Sequence, residues 1–192
     1  FSAVLLVLGL SGCASAPPAT ATRPSPSSGS AARSSREQWL DMFARGYFPG
    51  RSGQVFVVPK DTWFVTSHDP LYQFMHGSPW EYDTHIPLLL HGAPFVKAGR
   101  YTGAAKQQDV APTVGALIGA TPLPTYTGRV LDEAIAAGGA RPRVVTVMVL
   151  DAMRADYFDT YAAQMPTLTR LRNEGAWFGN THTVVLPTVT GV

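Results

Sequence analysis

Val144–Asp151 reads VVTVMVLD, a β-branched, apolar run closed by a carboxylate. Such a run is expected to be a strand buried on both faces of a parallel sheet. An acidic residue at its carboxyl end falls where open α/β sheets place their ligands. Downstream, Thr183–Leu186 (TVVL) leads into Pro187-Thr188-Val189-Thr190-Gly191, where Thr188 is a candidate nucleophile. Upstream lies HGSPWEYDTHIP (76–87), which reads as another part of the same site and comes first in the chain.

The neighbouring elements follow from local pattern. Pro166–Glu174 (PTLTRLRNE) is a helix with proline at its start and Gly175 as its stop. The segment Ala176–Leu186 is strand-like. Before the central run, Glu37–Arg45 (EQWLDMFAR) spaces Trp39, Leu40, Met42 and Phe43 as one helical face. Gln54–Val58 (QVFVV) and Trp63–Val65 read as strands, as does Ile86–Leu90 (IPLLL), which follows His85 directly. Asp109–Ile118 is a helix with Asp109 as N-cap and Pro112 in the tolerated first turn. Thr127–Ala136 ends in a small helical segment. Alternating strands and helices predict a layered α/β sheet, mostly parallel.

The chain has 192 residues, 45% hydrophobic and 15% charged, with a net charge of +2. That is a globular composition. Its basic residues are scattered, so no nucleic-acid interface is expected. Phe1–Leu10 (FSAVLLVLGL) is too short to span a bilayer and suits the apolar core of a secretory leader. Leu10-Ser11-Gly12-Cys13 resembles a bacterial lipobox, which makes Cys13 the lipidated residue and residues 1–13 a lipoprotein signal. An ordinary leader with a chance cysteine is the other reading. Residues 14–36, rich in Pro, Ala, Ser and Thr, form a tether with too little apolar bulk to order itself. The expected location is the bacterial cell envelope, lipid-anchored, on the periplasmic or another extracytoplasmic face.

Taken singly, the site residues are ambiguous. Asp151 suits a metal ligand or a helix N-cap equally, since a carboxylate ending an apolar strand needs a partner. Threonine is a weak nucleophile that metal coordination can activate, yet Thr188 also suits a plain turn. Asp83-Thr84-His85 supplies zinc-type donors ahead of a strand, and His76 competes with His85 for that role. His68, His91 and His182 read as ordinary residues, and Arg154 with Asp156 as an ion pair.

Together, VVTVMVLDAMRADY (144–157), MPTLTRLRNEGAWF (165–178) and TVVLPTVTG (183–191) resemble the opening third of alkaline phosphatase superfamily enzymes. The resemblance is to phosphate-irrepressible alkaline phosphatases and to type I phosphodiesterase/nucleotide pyrophosphatases. Gly50–Gln54, residues 76–92, DVAPTVGALIG (109–119) and TGRVL (127–131) resemble the closing part of the same domain. The resemblance implies a three-layer α/β/α fold and hydrolysis of phosphate esters through a phosphothreonine at a two-zinc site. It gives Thr188 the nucleophile's role, Asp151 one metal and His85 the other, with His76 as the alternative ligand. Asn180 is a weaker candidate for a phosphate contact. Sulfatases need a Cys/Ser-x-Pro-x-Arg context, which is absent, and cofactor-independent phosphoglycerate mutases use serine.

The order is inverted: residues 37–136 form the closing segment, 137–142 a linker and 143–192 the opening segment. The middle of the domain, with its remaining metal ligands, has no counterpart. The expectation is therefore an incomplete or permuted domain, inactive and loosely stable by itself. The alternative is a non-catalytic envelope lipoprotein on a decayed phosphatase scaffold.

Overall fold

The computed structural model describes residues 3–9, 34–64, 75–139 and 141–187. Its main sheet has five strands: β1 (Ala3–Gly9), β2 (Leu88–His91), β3 (Gly99–Tyr101), β5 (Val144–Leu150) and β6 (Ala176–Phe178). Their spatial order is β3-β6-β2-β1-β5. A two-stranded sheet pairs β4 (Ala105–Lys106) with β7 (Thr181–His182) in parallel. The helices are α1 (Ser35–Gly46), α2 (Glu81–Thr84), α3 (Val110–Ile118), α4 (Tyr157–Thr160) and α5 (Pro166–Glu174).

The predicted layers are present. Leu88 and Leu90 of β2 join Leu117 and Leu131 in one buried cluster, with Val110 and Val114 of α3 packed against it. Leu89, between them in sequence, joins Leu171 and Leu168 of α5 in a second cluster. Alternate strand residues point to opposite faces, so α3 and α5 cover opposite sides of the sheet. The sheet is mixed rather than mostly parallel. β1 and β5 are parallel, as are β3 and β6, but β2 is antiparallel to both its neighbours. The connection from β2 to β3 is too short for a parallel crossover, which takes a dozen or more residues. The chain turns back, and β6 fills the gap between them.

Two expectations are corrected. β5 has the predicted bounds but not the predicted burial: Val144, Val147, Met148 and Val149 are 39–55% exposed. Among the described residues β1 is its sole strand neighbour, so β5 lies at the edge. Ala3–Gly9, whose sequence also suits the apolar core of a leader, forms the strand between β2 and β5 in this chain. An apolar run of that length suits either role, and periodicity cannot separate them. Gln54–Val58 is irregular, with Val55 80% exposed, and Trp63-Phe64 is not a strand either. Val65 lies outside the described residues. β-branched residues favour strands only where a half-buried surface receives them, and Val55 and Val57 are 80% and 76% exposed among the described residues.

The helix ends show why the segments dock. Ser34 caps α1 in a reciprocal box with Glu37. Asp109 occupies the N-cap position of α3, but its carboxylate accepts the N–H groups of Lys106 and Arg129, tying the 127–131 turn to the helix start. Gly175 ends α5 as expected, in extended backbone. A Cβ there would lie 2.4 Å from the Leu90 carbonyl oxygen, so glycine permits the approach of α5 to β2.

The segments 37–136 and 143–187 interlock despite their reversed order. Beyond the strand pairs, the Ile86 N–H donates to Thr181 O and the Thr183 N–H to Thr84 O. The Leu186 N–H donates to Met42 O of α1, and Arg45 donates to Val184 O at 2.9 Å.

Candidate active site

Asp151 sits in the turn that follows β5, at the carboxyl end of the strand as expected. Its Oδ1 lies 3.2 Å from Nε2 of His76. The histidine side chain is 19% exposed and the aspartate 67%, so the pair opens to solvent on the aspartate side. His76 is held by a short loop whose Gly77 has φ +120°. Immediately beyond it, Ser78 donates its N–H and hydroxyl to Oδ2 of Asp83, at 2.8 and 2.5 Å. Asp83 is buried within α2. Burial pushes its carboxyl above the usual range, while the Ser78 hydrogen bonds and the nearby His76 pull against that shift. A recess of about 160 Å³ is lined by His76, Ser78, Asp83, Trp63, Phe64 and Pro187. The residue before Thr188 thus borders the same recess as His76. Thr188 and Cys13 lie outside the described residues.

His85 is elsewhere. Its ring stacks on His182 with centroids 5.0 Å apart, and Nε2 lies 2.9 Å from the Gly179 carbonyl oxygen. Oε1 of Glu81 is 3.7 Å from His85 Nδ1 and 3.2 Å from His182 Nε2. The hydrogen bond from His182 holds the Glu81 carboxyl below its usual range, against some desolvation. The reason is helical spacing: His85 caps α2 four residues after Glu81, which turns it toward β7. Of the two histidines weighed from sequence, the structure puts the alternative, His76, against Asp151. Asn180 is exposed at the turn between β6 and β7, its carbonyl accepting the Ala105 N–H. Arg154 and Asp156 form the expected pair, with hydrogen bonds of 2.9 and 2.6 Å.

The sequence reading missed Ser78, Glu81 and His182 and gave Asp83 no separate role. The signal for Asp83 was its spacing from Ser78 across a Pro-Trp turn, which lets a carboxylate reach back to the residue beside His76.

Imidazole nitrogen and carboxylate oxygen are donor types suited to zinc. The pair supplies two, and no cluster of three or more His, Cys, Asp or Glu able to hold a metal occurs among the described residues. His76 and Asp151 therefore fit one side of a metal centre in kind, but not a full coordination set.

Fold and site together are those of an α/β protein with a His–Asp pair at the carboxyl end of a strand. Residues 145–192 match the family model described as type I phosphodiesterase / nucleotide pyrophosphatase, a family within the alkaline phosphatase superfamily. The match begins in β5 and includes Asp151, Pro187 and Thr188. It supports phosphate-ester hydrolysis at the level of the family, whose members are typically metal-dependent. No curated protein and no solved structure matches the chain.

Proposed function

We propose that the chain carries part of the catalytic centre of a phosphate-ester hydrolase, with Thr188 as nucleophile and Asp151 and His76 as ligands of a two-zinc site. The observation that carries this reading is the His76–Asp151 contact at the end of β5, whose Asp151 lies within the stretch matched by the phosphodiesterase model. In this reading the Thr188 oxygen attacks phosphorus, the bond to the ester oxygen breaks, and that oxygen leaves with a proton from water. A second water then attacks the phosphothreonine, releasing phosphate and restoring the hydroxyl. A bound zinc supplies neutralisation of developing charge and a lower pKa for a coordinated oxygen. The chain's own residues supply placement: α1 grips Val184 and Leu186, which precede Thr188 in sequence, and the Ser78–Asp83 contact fixes the loop of His76.

Cys13 belongs to the same reading as a lipidated anchor that holds the domain at the extracytoplasmic face of a bacterial membrane; cleavage before Cys13 would remove β1, so this reading concerns a mature form without that strand. Among the described residues no helix is long and apolar enough to cross a membrane. The rival is a non-catalytic envelope lipoprotein, favoured by the presence of only two metal donors at the described site.

A zinc titration of the full-length gene product, followed by acid quench and mass analysis after incubation with a phosphate ester, separates the two. Two tight zinc sites and a phosphoryl group on Thr188 are expected. No zinc binding and no label on Thr188 would leave the scaffold reading standing.

A further inference from the structure

We infer that Asp83 is a positioning residue for His76, acting through Ser78. The inference rests on reading His76 and Asp151 as one site.

Gly77 has φ +120°, a conformation that side chains rarely adopt, so the backbone next to His76 is not held by local sterics. The constraint comes one residue later. Ser78 is 7% exposed, and both of its donors go to the same oxygen of Asp83, which is itself 1% exposed. A carboxylate at that depth is costly unless it is hydrogen-bonded or paired. The two bonds to Ser78 meet that need, and His76 is near enough for its charge to act on Asp83. Asp83 is in turn fixed to the rest of the fold. The next residue, Thr84, donates its hydroxyl to Trp80 O, and its carbonyl accepts the Thr183 N–H. Ile86 donates to Thr181 O. A continuous path of hydrogen bonds and backbone therefore runs from the strand segment before Thr188, through α2 and Asp83, to the loop bearing His76. The Ser78 bonds, with one from the Gly77 backbone, thus tie the loop that faces Asp151 to α2.

The test uses the whole chain without added metal. Asp83→Ala is compared with Asp83→Asn, which keeps the volume and one acceptor, and with Ser78→Ala. Two readouts are taken: hydrogen exchange at the Ser78 amide and the His76 ring signals in long-range proton–nitrogen spectra. Asp83→Ala is expected to speed Ser78 exchange by about tenfold or more. It should also move the His76 signals toward those of a solvent-exposed loop histidine. Asp83→Asn should restore both in part. His76 signals unmoved in Asp83→Ala, despite faster Ser78 exchange, would reduce Asp83 to a structural residue. If Asp83→Ala does not fold, unmoved His76 signals in both Asp83→Asn and Ser78→Ala overturn the inference. Asp151→Asn tests the underlying site separately: His76 signals indifferent to it would refute the pairing and leave the Asp83 result legible.

Discussion

Replacing Gly46 by alanine tests whether α1 holds the segment that leads to Thr188. A Cβ at Gly46 would lie 2.0 Å from the Leu186 carbonyl oxygen and 3.2 Å from Cγ2 of Val185. Non-bonded heavy atoms settle at roughly 3.5 Å, so helix and segment must separate by about 1 Å or more. Overpacking of this kind costs about 1–3 kcal/mol. The same separation stretches the Leu186 N–H bond to Met42 O, now 3.1 Å, and the Arg45 bond to Val184 O. Each hydrogen bond lost adds about 0.5–1.5 kcal/mol. Alanine's helix preference offsets up to about 1 kcal/mol, and less here because Gly46 is the last helical residue. The net expectation is a destabilisation of roughly 1–5 kcal/mol, a downward shift of about 1 M or more in the urea midpoint with the slope unchanged. A midpoint equal to that of the parent chain, or higher, would show that α1 does not hold the 184–186 segment and that the two halves are not locked at this point.

Two further outcomes are specific. Deleting residues 1–13 removes β1, the one described strand neighbour of β5; amide exchange across Val144–Leu150 should rise to near-unprotected rates, and unchanged protection would mean that β5 is paired otherwise. Glu81 has its carboxyl pKa lowered from 4.5, first by the His182 hydrogen bond. A depressed carboxylate contributes stability that is complete above its unfolded value and lost as pH falls through the folded one. His182→Ala should therefore raise the Glu81 pKa measured by carbon NMR and shrink the acid-side loss of stability, and a Glu81 pKa that stays put would remove His182 as the cause.

How much of this could be read from the residues depends on whether the deciding information was local. Pro166 and Gly175 bracket α5, and the structure keeps those bounds, because a proline start and a glycine stop are set by neighbouring backbone. Val144–Leu150 was legible as a strand for the same reason, yet its place at the edge was not, since that depends on which strands lie beside it. Ala3–Gly9 was read as a leader because apolar runs in leaders and interior strands share one pattern. Gln54–Val58 has strand composition but pairs with no strand among the described residues. At the site, Asp151 was placed correctly at the end of its strand. The choice between His76 and His85 was not local: one turn of α2 directs His85 to Glu81 and His182, and the Ser78–Asp83 tie leaves His76 facing Asp151.

The measurement closest to the central claim is the zinc affinity of the full-length gene product carrying either His76→Ala or His85→Ala, read by competition with a chromophoric chelator. Loss of a direct ligand should exceed the roughly 10–100-fold effect of losing a supporting residue. The account predicts that weakening for His76→Ala and little change for His85→Ala. Affinity that survives His76→Ala and falls with His85→Ala would contradict it.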